Sequence, residues 1–398
     1  MKIINGRVFS PDFCFHSKDV LISNGFFVSE NNFQSSDDNL LDAFGCYVIP
    51  GLLDIHFHGA LGYDVCDATP EAFQKIAAYE ASCGITAICP ATLTLPEQTL
   101  EQTLAVGASF AEAHSAGKTS PTLADLVGFN MEGPFISYTK RGAQNSDYIR
   151  PCDAGLADHF RKVSNGLVKI IGLAPEANPN FEDYIQRVKD SVAVSLAHTD
   201  CDYDLASRAL NAGISHVVHM FNAMRDLSHR DPGPVGAVMD HLRQFPESNL
   251  TCELICDGIH VHPSAVRAAF KLIGKEHIIL ISDSLRSTGM PDGDYELGGQ
   301  LTHKSGKYCR LKKSSVDGTP GNIAGSVSNL MDCLQNVVTQ MDIPLETAVA
   351  CATINPAKRI HVEHLYGSIE AGKRGNAVLL DQKTLQVRAV VKDGVRIK

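Results

Sequence analysis

From about residue 51 to 355 the chain alternates short apolar runs with amphipathic segments, and seven of the eight apolar runs carry a histidine or an acid at or within two residues of their end. The runs are YVIPGLLDI (47–55), ITAICPA (85–91), LVGFNME (126–132), LVKIIGLA (167–174), VAVSLAH (192–198), ISHVVHM (214–220), LTCELICD (250–257) and HIILISD (277–283). Segments with helical periodicity fit between them, among them PEAFQKIAAYEAS, DYDLASRALNA and PSAVRAAFKLI. Apolar runs of strand length, each followed by a helix, read as β-α units with parallel strands. Eight such units predict an α/β fold, a (β/α)8 barrel of the triosephosphate-isomerase type, in preference to an open doubly wound sheet.

The two ends of the chain read differently. DVLISNGFFV, GNAVLLD and VRAVVKDGVRI are short β-like runs separated by Gly, Asn and Asp turn signals. Residues 1–50 together with 366–398 are therefore expected to form a small β-sandwich domain, leaving 51–365 to the barrel. GMPDGDYELGG (289–299) is the most loop-like stretch and is expected to move.

Several function classes drop out. No apolar run approaches the roughly 18 residues a membrane span needs, and MKIINGRVFSPDF lacks the apolar core of an export signal. A cytoplasmic protein is expected. The twelve cysteines, spread from Cys14 to Cys351, then read as reduced thiols. A formal charge of -10 without a basic run argues against nucleic-acid binding. A small anionic substrate would need its own arginine or backbone amides.

In an α/β barrel the C-terminal ends of all strands open on one face, so His56, His58, Glu132, Glu176, His198, His219, His260 and Asp283 converge on one cavity despite their separation in sequence. Imidazoles with a carboxylate suit Zn²⁺ or a related divalent ion. Such an ion polarises a carbonyl and lowers the pKa of a water towards about 7, which makes an amide attackable. Collapse of the tetrahedral intermediate needs a proton at the leaving nitrogen. Asp283, a carboxylate at the end of the last strand, fits the acid/base role.

The segments HxH (56–58), NMEGPF (130–135), AHTD (197–200), HMFNAM (219–224), CDGIHVHP (256–263) and ISDS (281–284), in this order, resemble the amidohydrolase superfamily and, within it, the N-acetylglucosamine-6-phosphate deacetylases. The resemblance extends to the opening PGLLDIHFHG and the closing GSIEAGKRGNAVLLD. It implies metal-dependent removal of acetate from N-acetylglucosamine 6-phosphate, leaving glucosamine 6-phosphate. Glu132 resembles the family's carboxylate ligand, His198 and His219 the two imidazole ligands of the same ion, and His56 and His58 a second site that only some members fill. The resemblance thus implies one divalent ion, Zn²⁺, with room for a second. Asn222 and Ala223 resemble residues that hold the substrate. Arg230 resembles an arginine that pairs with the phosphate, a role its fork of donors suits. Asp257, Gly258, Ile259 and His260 resemble one further sugar- or phosphate-contacting segment, and Ile323, Ala324 and Gly325 another. A homodimer is implied, with the neighbouring subunit completing the phosphate site.

One departure bears on specificity. Where the family commonly has Gly-Ala-His, with the histidine on the sugar, this chain has Gly142-Ala143-Gln144. Ala143 and Gln144 remain candidate substrate contacts, but glutamine cannot carry charge. N-acetylgalactosamine 6-phosphate, or both epimers, is the alternative substrate. An amidohydrolase for a different amide and a catalytically dead sugar-phosphate sensor are weaker competitors.

Overall fold

The computed structural model describes residues 1–33, 39–312 and 321–398. Its centre is the expected (β/α)8 barrel. The strands are β1 (Leu52–Asp54), β2 (Ile85–Ile88), β3 (Phe129–Phe135), β4 (Val168–Leu173), β5 (Ala193–Leu196), β6 (His216–Val217), β7 (Thr251–Ile255) and β8 (Ile278–Ile281). All pair in parallel. A short continuation of β2, Ala91–Thr92, carries the ladder to β3, and the barrel closes where the Asp283 amide donates to the His56 carbonyl at 2.9 Å.

One helix follows each strand: α1 (Pro70–Ser82), α2 (Glu97–Ser115), α3 (Ala154–Val163), α4 (Phe181–Val188), α5 (Tyr203–Ala212), α6 (Gly233–Gln244), α7 (Pro263–Ile273) and α8 (Leu330–Thr339). Their starts follow ordinary capping chemistry. Thr69, Asp153 and Asp202 each accept from amides of the first turn of α1, α3 and α5. Two further helices, α9 (Leu345–Cys351) and α10 (Ile354–Arg359), come after α8. Ala357 and Ile360, at the end of α10, pack with Val362 and Tyr366 against the inward-facing Leu53, Ile55, Ile170, Ile255 and Ile281. This segment plugs the barrel at the end where the strands begin.

Both ends of the chain meet in one six-stranded sheet, in the order 395–396, 387–392, 377–381, 46–50, 7–9, 15–17. Strand periodicity assigns its two faces. Val378, Leu380 and Val390 join the barrel core, whereas Leu379, Ala389 and Val391 join Ile3, Val20, Ile22 and Leu41 of a four-stranded sheet packed on the far side. The result is a sandwich whose inner sheet is buried on both faces.

Two local expectations need correction. The run 47–55 is not one strand: Cys46–Pro50 belongs to the sandwich and Leu52–Asp54 to the barrel. The break falls at Gly51, where a Cβ would lie 2.1 Å from Thr86 Oγ1 of β2, so the chain can pass there only without a side chain. The stretch 289–299 is not merely a loop. Gly293–Leu297 is the first strand of an antiparallel meander with Gln300–Ser305 and Tyr308–Leu311. Gly298 and Gly299, both at positive φ, make its first turn, the two-residue hairpin that glycine pairs favour. Leu297 and Cys309 anchor the meander on Leu93, Leu285 and Ala324.

A buried ionic cluster ties the last long strand to the barrel. Asp125 is bonded by His114 of α2 at 2.9 Å and by the Tyr366 hydroxyl at 3.0 Å, and the ammonium of fully buried Lys392 lies 3.0 Å away. Burial alone would raise the Asp125 pKa, but His114, Lys392 and Arg374 outweigh it and hold it at about 2. A folded-state pKa below the unfolded value of about 3.9 stabilises the fold above that value, and the contribution fades as pH falls from about 4 to about 2. Asp125→Asn should therefore lose roughly 2–3 kcal/mol at pH 7. The gap to wild type in urea-unfolding midpoint should close across that acid window; a gap independent of pH would rule the account out.

Candidate active site

The strand ends deliver their polar side chains to one cavity of about 330 Å³. Glu132, at the middle of β3 and not at its end as the apolar run 126–132 led one to expect, is its focus. Its Oε1 lies 2.7 Å from Nε2 of His198 and 2.7 Å from Nε2 of His219, and those two nitrogens are 3.2 Å apart. His56 Nε2 stands 3.6 Å from the same oxygen, and His58 Nε2 3.5 Å from Oε2. Asp283 Oδ1 is 3.3 Å from His58 Nε2 and 3.8 Å from His56 Nε2. Four imidazoles and two carboxylates, all of them buried side chains, thus share one site.

The backbone is contorted to achieve this. His198, His219 and Asp283 lie at φ of 44°, 25° and 50°, a left-handed region that costs most residues about 1–2 kcal/mol and that Asn, Asp and His enter more readily than others. Residues after β5, β6 and β8 leave the strand direction abruptly and turn inward. Glu132 has a different requirement. A Cβ on Gly172 of β4 would sit 2.2 Å from the Glu132 carbonyl oxygen, so β3 and β4 approach as closely as they do only because residue 172 is glycine.

Nearly every ring is oriented from behind. His198 Nδ1 is 2.9 Å from the Lys140 carbonyl, and His58 Nδ1 is 3.1 Å from that of Ala91. A carbonyl only accepts, so in both rings Nδ1 carries a hydrogen and Nε2 is turned into the site. His56 Nδ1 meets Glu253 Oε2 at 2.8 Å, while its Nε2 is buried without a partner. Carboxylate oxygens and ring nitrogens at these distances need protons or a cation among them. His56, Glu132 and His219 have the spacing of one candidate metal site, and His56, His58 and Asp283 of another. The donor set fits a divalent ion.

The carboxylates are held ionised. Burial would raise the pKa of Glu132, but His198, His219 and His56 hold it well below the usual range. Asp283, against the same effect of burial, is lowered by its hydrogen bond to His58 and the charges of His56, His58 and His219.

Of the residues singled out from the sequence, His58, Glu132, His198, His219 and Asp283 line the cavity, with His56 directly behind. Ala143, Gln144, Asn222, Ala223, His260, Ile323 and Gly325 line it too. Asp257 stands outside and bonds His260 Nδ1 at 2.7 Å, so it orients a lining residue. Gly258 and Ile259 continue that turn, and Ala324 is packed into the core beneath the meander. Arg230 is exposed and does not line the cavity of its own chain. Glu176 braces the turn after β5, accepting from the Thr199 hydroxyl at 2.6 Å and the Asp200 amide at 2.5 Å.

Gln144 bonds protein at both ends of its amide. Its Oε1 accepts from the Thr94 amide at 2.6 Å, and its Nε2 donates to Glu132 Oε2. Three participants escaped the sequence reading. Lys140 lines the cavity as a cation, in a turn whose composition carries no signal. Glu253, on β7, bonds His56, His216 at 2.9 Å and the His219 amide at 3.0 Å. Asn130 donates to Glu253 at 3.3 Å. An acid inside the apolar run LTCELICD was the available sign for Glu253.

The chain matches the Amidohydrolase family over residues 47–397. It is 34% identical over 334 residues to the N-acetylglucosamine-6-phosphate deacetylase of Bacillus subtilis (strain 168), which covers 84% of this chain and 80% of that protein. Against the N-acetylgalactosamine-6-phosphate deacetylase of Escherichia coli O157:H7 it is 31% identical over 332 residues, 83% of each chain. Among solved structures, the N-acetyl-D-glucosamine-6-phosphate deacetylase of Mycobacterium smegmatis superposes with a TM-score of 0.86 over 100% of both chains, at 26% identity. A mutant of that enzyme, in complex with N-acetyl-D-glucosamine-6-phosphate, gives the same score over 100% of this chain and 98% of that one.

Proposed function

Because the chain belongs to the amidohydrolase family, we propose that the cavity removes acetate from N-acetylglucosamine 6-phosphate, with Asp283 as acid and base and Glu132, His198 and His219 as holders of the ion. The observation that carries this reading is the convergence of a carboxylate, two inward-facing imidazoles and a second, separately held carboxylate on one cavity. The substrate rests on the deacetylase relatives.

Zn²⁺ suits the imidazole-rich set, and when bound it supplies Lewis-acid polarisation of the acetyl carbonyl and a water more easily deprotonated. The remaining work falls to side chains. Asp283, ionised and steered by His58, takes the proton of the attacking water and returns it to the nitrogen as the C–N bond breaks. His260, oriented by Asp257, and Asn222 are placed to bind sugar hydroxyls or the acetyl group. Lys140 offers a cation to the phosphate. A homodimer in which exposed Arg230 reaches the cavity of a second copy is the proposed assembly, and sedimentation equilibrium tests it.

The galactosamine epimer keeps some support from the Escherichia coli relative. Acetate release from both sugar phosphates, after reconstitution with counted equivalents of zinc, tests substrate and stoichiometry together. Faster release from the galactosamine compound would reverse the assignment. Since Gln144 spends both ends of its amide on Thr94 and Glu132, its removal should act through the ion more than through the sugar. Gln144→Ala is expected to weaken metal affinity about 10–100-fold while leaving the epimer ratio of kcat/KM within a few-fold. A large change in that ratio at full metal occupancy would make Gln144 a reader of the sugar.

A further inference from the structure

At the end of the barrel opposite the catalytic cavity lies a second hollow of about 530 Å³. Arg161, Lys169, Lys189 and Arg359 line it, and Asp190 is its one acid. Among the described residues none of these four cations has a carboxylate within ion-pair distance, in a chain where acids outnumber bases 45 to 35. Unpaired lysines and arginines are common on the surface of this chain, beside pairs such as Arg208 with Glu182 and Arg388 with Asp381, so what sets this group apart is its buried member.

Arg359 is the informative member. It ends α10, the plug, and is only 7% exposed. Its Nη1 donates to the carbonyls of Ser215 and Asn249 at 2.6 and 3.0 Å, but its Nε is buried without a partner. Burial pushes its pKa down to about 10, and no acid restores it. A buried charge without a counter-charge is costly.

Helix dipoles account for part of the pattern. Arg161 and Lys189 sit at the ends of α3 and α4, where cations are favoured. Lys169, on a strand, and the unused Nε of Arg359 are not explained that way. We infer that this hollow is a second binding site, for a small metabolite bearing a phosphoryl group, which supplies the missing counter-charge. Arginine's planar fork with lysines around it is the donor set that phosphate oxygens take. The volume admits a molecule of sugar-phosphate size.

The test is equilibrium dialysis of labelled inorganic phosphate against the full-length, metal-loaded protein. Arg161→Ala/Lys189→Ala removes two partly or fully exposed cations far from the catalytic cavity, so deacetylation should stay within twofold of wild type. Phosphate binding should lose one equivalent, or weaken at least tenfold at that equivalent. The charge-matched control Lys2→Ala/Lys75→Ala should bind as wild type does. Arg359→Gln should give the same loss, although it alters the plug and can fail to fold, which is why the surface pair is primary. Equal binding by wild type and the surface pair, or an equal loss in the control, would overturn the inference.

Discussion

Asp283→Asn is expected to lower kcat by about three orders of magnitude, within the range by which a positioned acid/base accelerates proton transfer. Asparagine matches the shape of aspartate and tolerates the left-handed backbone found there. It can still meet His58, but it can neither accept the water's proton nor return it to the nitrogen. Metal content should match wild type, because Glu132, His198 and His219 contact one another independently of residue 283. KM should move little. A variant that kept more than about a tenth of wild-type turnover with full metal would remove Asp283 from the chemistry, and one that lost its metal would make it a ligand instead.

Glu132→Gln is the second large effect. Glu132 is the carboxylate on which His198 and His219 both converge, and Gln144 and the ring of His56 are aligned on it as well. A neutral amide there removes the negative charge that makes the site attractive to a dication. Metal affinity should fall by more than the 10–100-fold typical of changes behind a ligand, with activity lost in proportion. Titration against a competing chelator measures the first and acetate release the second. Undiminished affinity would mean that the ion is held by His56, His58 and Asp283, the other cluster of suitable spacing.

Much of the architecture could be read from periodicity, and the reasons differ by element. The barrel strands were legible because both faces of a parallel strand are covered, so each reads as an unbroken apolar run ended by a polar residue. The first run misled for the same reason: the strand 46–50 of the sandwich and 52–54 of the barrel are both buried, and nothing apolar changes between them. Only Gly51 marks the crossing. Gly293–Leu297 was hidden because one face is open to solvent and its turn residues dominate the composition.

Most site residues at strand ends were legible because topology sends them to one cavity, although Glu176 and Asp257, also expected there, stop short of it and hold the Thr199–Asp200 turn and His260. Glu253 was not, since it acts from inside a strand and reaches the site through His56 and the His219 backbone. Gln144 was legible as a position but not as a role. Its type suggested sugar recognition, whereas its hydrogen bonds run to Thr94 and Glu132.

The six-stranded sheet has a further consequence, in time. Its strand 46–50 pairs on one side with 7–9 and on the other with 377–381. On a ribosome adding about 5–20 residues per second, the partner at 377 is synthesised roughly 15–65 s after residue 50. For all of that interval the early strand carries an unmatched edge, and for most of it the plug at 354–366 is missing from the barrel floor. Completion of both waits until the segment from 354 to 381 has been made. The nascent chain therefore depends on being shielded from edge-to-edge association while it is made, and a product stopped short by a late nonsense codon should be cleared by proteolysis instead of accumulating as a weakened enzyme.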